Sequence, residues 1–440
     1  MDSFERMGNM YKRKRVKEKN IVALVVCAVI FFVTVLYYSV KAEEVYTGPS
    51  VEELAGISPA VGYLAARAEA CDGFIYTPEK ERGSSNFAYL YDSAAAIVAL
   101  SEAGAVRQAG LIADALVFAM EHDRYFSDGR LRNAYVGGNP RKESGWSIFS
   151  GAEAVRLPGS WRDGVWAEDY YSVSTSTGNM AWVILALCEA SRGAPEGKAE
   201  EYAAAAERAA DFVLTLKSEQ GGFTGGYEGW DKTQKKAGYK STEHNIDLIS
   251  AFTSLASLVR EANPAKAELY EEAAEHAEAF VLLMYDKRLN CFYTGTEDDG
   301  RTISKGVLPL DTNTWAILAL EDSFSDAEQV IDFVENNMAV GAGFDFSAGD
   351  LDGIWHEGTA QMAVCYQAMG NTEAYERIMA YLSTQTAEDG SITAADRDGV
   401  STGFMVSGTD VLWVYNNTTN LGATNWLAFA QMKVNPLRKR

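Results

Sequence analysis

The sequence predicts an all-α fold: an (α/α)6 barrel of six helical hairpins behind an N-terminal transmembrane helix. Three observations predict it. Charged amphipathic segments alternate with nearly uncharged apolar ones along the chain. The apolar kind occurs six times, each time opening on polar residues. A single uncharged run of membrane-crossing length stands before all of them.

That run is Ile21–Val40, IVALVVCAVIFFVTVLYYSV, preceded by the basic stretch YKRKRVKEKN at 11–20. About 20 apolar residues are needed to cross a bilayer as a helix. Basic residues stay on the cytoplasmic side. Residues 1–20 are therefore expected in the cytoplasm and 21–40 as an uncleaved anchor in the cell membrane. A linker at 41–49 follows, and a catalytic domain at 50–435 is expected outside the cytoplasm.

Within 50–435, segments such as 198–218 and 265–285 carry apolar residues at helical spacing with Glu, Lys and Arg on the other face. They suit an outer layer. The other kind is found at 89–100, 174–187, 241–252, 310–320, 355–366 and 422–432. A helix apolar on most sides is buried on most sides. Six such helices, each preceded by an outer partner, predict a closed double ring of twelve. The inner helices then run parallel, and their N-terminal ends meet at one mouth together with the longer loops. That mouth collects Asp92, Asn179, Glu243, His244, Asn245, Asp311, Asn313, His356, Glu357 and Asn425, with Tyr91, Asp247, Trp182, Trp315 and Trp355 beside them. Loops rich in Trp and Tyr (124–138, 144–150, 161–172, 221–230, 290–300, 344–355 and 412–417) arrive at the same end. Aromatic faces suit the C–H edges of sugar rings.

The chain carries 61 acidic and 39 basic residues, a formal net charge of -22. Such a surface repels nucleic acid, which is excluded as a partner. The five cysteines show no metal-ligand spacing and read as buried free thiols, with no spacing that supports a Cys71–Cys291 bridge. Asp350 and Asp352, in SAGDLDG, fall short of a calcium loop because the spacing and terminal Glu are missing. No metal and no cofactor are expected.

In layout the six inner-helix openings resemble the six-hairpin glycosidase superfamily, closest to the family-8-like glycoside hydrolases. In family-8 endoglucanases a Glu near the first inner helix donates the proton and an Asp near the fourth is the base. The resemblance implies these roles for Asp92 and Asp311, although position 92 is Asp rather than Glu. Asp311, read as an N-cap, is expected to be ionised, because backbone N–H groups and the helix dipole favour the charged form. Asp92, near Phe87, Tyr89 and Tyr91, is expected to be desolvated and protonated. Glu243 and Glu357 complete the catalytic candidates. Tyr91, Trp182, His244, Asn245, Asp247, Asn313, Trp315, Trp355, His356 and Asn425 are the substrate-binding candidates.

The expected function is hydrolysis of a polysaccharide by two-carboxylate acid/base chemistry, with inversion. Two alternatives stand beside it. One is a sugar epimerase or polysaccharide lyase using His244 and His356 as an acid/base pair. The other is a non-catalytic glycan-binding subunit of a polysaccharide synthesis or export complex.

Overall fold

A computed structural model describes residues 48–77, 87–143, 155–162, 165–406 and 410–439. The basic segment, the expected anchor at 21–40, nearly all of the linker and the loop at 144–150 lie outside the described residues. Among the described residues no helix is long and apolar enough to cross a membrane.

Among the described residues, twelve longer helices make the body. The outer six are α1 (Pro59–Cys71), α3 (Val106–Glu121), α5 (Glu196–Leu214), α7 (Pro264–Leu283), α9 (Ala327–Met338) and α11 (Thr372–Gln385). The inner six are α2 (Leu90–Glu102), α4 (Thr177–Gly193), α6 (Thr242–Val259), α8 (Leu310–Leu320), α10 (His356–Ala368) and α12 (Leu421–Met432). Each inner helix packs on the next, and α12 packs back on α2 to close the ring. Every residue of α8 is buried, whereas α9 buries only Val330, Ile331, Val334 and Met338. The charge difference between the two kinds of helix therefore sorts them into layers: charged faces stay wet, and wholly apolar helices do not.

Connections from inner to outer helices are tight, as at Ala103–Ala105 and Ala194–Pro195. Connections in the other direction are long and carry all the short strand pairs. One of these is a hairpin, Val400–Met405 with Leu412–Tyr415, before α12. The opposite end is covered by the C-terminal tail. Leu437 is fully buried there and accepts a hydrogen bond from Ser250 Oγ (2.6 Å), and Asn435 Nδ2 donates to Leu318 O (2.8 Å).

A repeated clasp fastens the loops to the inner ring. The fourth residue of five inner helices accepts the N–H of an incoming loop residue. Asn245 Oδ1 takes Phe223 N (2.8 Å), Asn313 Oδ1 takes Phe292 N (2.9 Å), and Thr359 Oγ1 takes Phe344 N (3.0 Å). Thr424 Oγ1 takes Ile392 N (3.3 Å), and the softer Met180 Sδ takes Leu131 N (3.3 Å). The Asn and Thr side chains also donate back to the carbonyl four residues earlier: Ser241, Pro309, Trp355 and Asn420. One side chain thus satisfies a buried loop N–H and a helix-entry carbonyl together, and either group left unpaired would be costly.

Candidate active site

The mouth formed by the inner-helix N-termini holds five carboxyl groups. Asp92 is the third residue of α2, Glu243 the second of α6, Asp311 the second of α8 and Glu357 the second of α10. Asp247 sits one turn below Glu243. Helices α4, α6 and α12 start with side-chain caps from Ser176, Ser241 and Asn420. Helices α2, α8 and α10 start at Tyr89, Pro309 and Trp355, which make no such bond. Asp311 is therefore not the N-cap expected from sequence. Its helix begins one residue earlier, and Asp311 Oδ1 instead accepts from its neighbour Thr312, through the backbone N–H (2.6 Å) and the hydroxyl (3.2 Å).

The five groups feel one another. Burial raises Glu243 well above its ordinary range, and the charges of Asp311 and Glu357 push the same way. Asp247 is likewise raised well above its range, first by burial, then by Glu243 and Asp311. Burial raises Glu357 to about 8; the Tyr91 hydroxyl opposes this, while Asp92 and Asp311 add to it. Asp92 rises to about 7 through burial alone. Asp311 rises least, to about 6, because the Thr312 donors stabilise its charged form against burial. At neutral pH Asp311 is thus the readiest of the five to ionise.

Tyr91 O–H donates to Glu357 Oε1 (2.8 Å) and accepts from Trp426 Nε1 (2.7 Å). Asn425 Nδ2 donates to Asp92 O (2.9 Å), which fixes the start of α2. Below the carboxyls Tyr91, Trp182, Trp315 and Trp426 pack ring on ring, with Trp315 stacked on Trp426 at 5.5 Å. Two glycines admit the functional groups closely. A Cβ on Gly422 would lie 2.5 Å from Glu357 Oε2. One on Gly178 would lie 2.5 Å from His244 Cδ2 and 3.2 Å from Asp247 Oδ2.

Several buried polar atoms here have no hydrogen-bond partner among the described residues: His244 Nδ1, both Asp247 oxygens, Trp182 Nε1, Trp315 Nε1 and Asn425 Oδ1. The Trp182 N–H lies close enough to Asp247 to favour its charged form, yet neither group closes a hydrogen bond. Buried polar groups are ordinarily paired, so this concentration marks a place built for hydroxyl groups or water. Burial lowers His244 to about 4, which keeps its ring neutral.

Not every candidate serves the mouth. Asn245 and Asn313 are spent on the loop clasps, so neither offers its amide to a substrate. His356 is fully buried and faces the outer layer, with Nδ1 at 2.8 Å from Thr393 O and Nε2 at 3.1 Å from the Tyr381 hydroxyl on α11. Both ring nitrogens are engaged, so the expected His244/His356 pair does not form. Trp182, Trp315 and Trp355 are too covered to stack on a sugar; Trp355 lies against Tyr415 at 5.6 Å.

The exposed aromatic surface comes from residues that sequence reasoning left among the loops. Tyr415 stands where the charges of Glu357, Asp311, Glu243 and Asp92 all reach its phenol. Tyr171 is 48% exposed, yet it is crowded by Tyr89, Glu243, Tyr239 and Asn179. A group both crowded and wet lies in a concavity. Asp345, Asp350 and Asp352 bring carboxylate oxygens within 4.8 Å of one another near the Val400–Met405 hairpin. The Asp345 oxygens are taken by the N–H groups of Phe346 and Asp352 (2.7 and 2.8 Å). Cys71, Cys188, Cys291 and Cys365 are buried, and Cys71 and Cys291 form no disulfide bridge.

No family model and no curated protein matches the sequence. Solved structures do match by shape. A glycosidase in complex with glucose aligns over 88% of this chain and all of its own, with a TM-score of 0.56 and 13% identity. An α-amylase from Clostridium perfringens aligns over 85% of this chain and 97% of its own (TM-score 0.56, 12% identity). The fold is that of the six-hairpin glycosidases. A cellobiose 2-epimerase from Bacillus thermoamylovorans shares it as well, over 86% of this chain and 98% of its own (TM-score 0.56, 13% identity). The shared frame therefore carries both hydrolytic and isomerising chemistry, and the side chains at the mouth must decide between them.

Proposed function

We propose that this chain is a glycoside hydrolase that cleaves an oligosaccharide or polysaccharide with Asp92 as acid and Asp311 as base. One observation carries the reading: five carboxyl groups share the mouth, with proton affinities spread upward from about 6 at Asp311. Glycoside cleavage needs one protonated and one ionised carboxyl across the scissile bond. Asp92 gives its proton to the glycosidic oxygen as the bond to the anomeric carbon breaks. A water molecule attacks that carbon from the other face and loses its proton to Asp311. Inversion belongs to this proposal, since Asp311 activates water rather than attacking the sugar. Glu357, held by Tyr91, and the unpartnered Asp247 and His244 receive sugar hydroxyls.

The epimerase reading loses its acid/base pair with His356 engaged elsewhere. The membrane part of the proposal rests on sequence alone. The run at 21–40 anchors the enzyme in the cell membrane with the barrel outside the cytoplasm, where it acts on a polymer being made or exported.

The test is incubation of the full-length chain with a panel of glycans, followed by mass analysis of the products. Shortened products that disappear in Asp92→Asn and in Asp311→Asn support the proposal. Unchanged turnover in Asp311→Asn would sink it. Binding without turnover in the parent chain would instead assign a glycan-binding subunit.

A further inference from the structure

The carboxyl mouth is flanked by exposed aromatic rings on two sides. In the inner ring α4 and α10 stand opposite each other, each with two helices between them on either side. On the α4 side, Tyr170 and Tyr171 open the short helix Tyr170–Val173 that leads into α4, and Tyr89 precedes α2. Trp230 joins them, because strand Gly226–Glu228 pairs with Thr175–Ser176 at the start of α4. Trp230 is 43% exposed and stands edge-on to Tyr170 at 4.7 Å, which holds the angle of both rings. On the α10 side, Trp355 opens the helix and stacks on Tyr415. Tyr415 in turn lies 6.1 Å from Trp413, which is 46% exposed. The Thr402 hydroxyl fixes that strand by donating to Trp413 O (2.9 Å).

Both groups of rings are continuous with the carboxyl cluster. Tyr171 is crowded by Glu243 on one side, and Tyr415 is reached by four carboxyl groups on the other. Large exposed aromatics held at fixed angles lose little entropy when a flat ligand settles on them. The net charge of -22 disfavours an anionic polymer in this cleft.

We propose that Trp230 with Tyr170, and Trp413 across the mouth, are outlying platforms for the rings of a neutral glycan. The ligand is then an internal stretch of a chain lying across the cleft, and cutting occurs away from chain ends. This deepens the hydrolase reading and rests on it for the cutting, but not for the binding.

The two are separable by experiment. The full-length chain carrying Asp311→Asn is run in native gels containing soluble starch, hydroxyethylcellulose or mannan. At least one polymer is expected to retard it, and adding Trp230→Ala or Trp413→Ala is expected to weaken the apparent affinity several-fold. The parent chain is run beside it, so a folding defect in the Asp311 variant does not decide the result. No retardation by any of the three polymers overturns the proposal, as does full retardation in both tryptophan variants. Retardation that depends on the tryptophans, without turnover in the parent, keeps the platforms and removes the hydrolase. Turnover that yields only mono- or disaccharides from one end, indifferent to both tryptophans, does the reverse.

Discussion

At the residue scale, the chemistry turns on which carboxyl keeps its proton. Asp311 must be ionised to act as base, so activity should rise with pH through about 6. The acid must be protonated, so activity should fall again at higher pH. If Asp92 is the acid the fall comes near 7, and if Glu357 is the acid it comes near 8. Because the groups are coupled, the limbs belong to the cluster, but substitution separates them. In a pH profile of kcat/KM, Glu357→Gln should leave the alkaline limb near 7; its disappearance would transfer the acid role to Glu357. Tyr91→Phe removes the hydroxyl that stabilises the charged form of Glu357. It should raise the proton affinity of Glu357 further and weaken substrate binding, read as a higher KM. The sequence placed Asp92, Glu243, Asp311 and Glu357 at the inner-helix openings, because acidic residues at the openings of apolar helices are conspicuous. It misassigned Asn245, Asn313 and His356 because position at a helix start does not say which way a side chain turns. Two asparagines turn to the incoming loop, and the histidine turns to Tyr381 on the outer layer.

At the scale of elements, the helices were legible and the loops were not. Periodicity and charge distinguish α9 from α8 with no knowledge of partners, since a wet face must be polar. The loop clasps left no such pattern: Met180, Asn245, Asn313, Thr359 and Thr424 share a register but not a chemical type. The clasp is nonetheless a load that can be measured. Asn313→Ala strands the buried N–H of Phe292 and the carbonyl of Pro309. A cost of about 1–3 kcal/mol is expected for such a loss, read as a lower midpoint in chemical denaturation, with unchanged cleavage in the folded fraction. A drop in kcat at full stability would return Asn313 to the substrate. Gly422 tests the opposite combination. A methyl there would meet Glu357 Oε2 at 2.5 Å, so Gly422→Ala should displace that carboxyl and reduce turnover about tenfold or more, while far-ultraviolet circular dichroism stays helical.

At the scale of the whole molecule, the cleft works against the stability of the barrel that forms it. Asp92, Asp311 and Glu357 all bind protons more tightly in the folded chain than when exposed to water. Groups raised in this way favour the fold fully below their unfolded values, near 4, and that advantage is lost as pH rises through the folded values of about 6 to 8. His244 pulls the other way, because its folded value near 4 penalises the fold as pH drops below 6.5. The five raised carboxyls, with Glu243 and Asp247 among them, outnumber the lowered histidines His244, His276 and His356, so the melting temperature should decline from about pH 5 to pH 8. Glu357→Gln removes a group held protonated up to about pH 8 in the folded chain. It should therefore raise the melting temperature at pH 8 by about 2 °C, and change it less at pH 5. If the variant melts with the parent at both pH values, Glu357 is not held against its charge. In that case the mouth would be an ordinary wet surface, and the spread of proton affinities that supports hydrolysis would be gone.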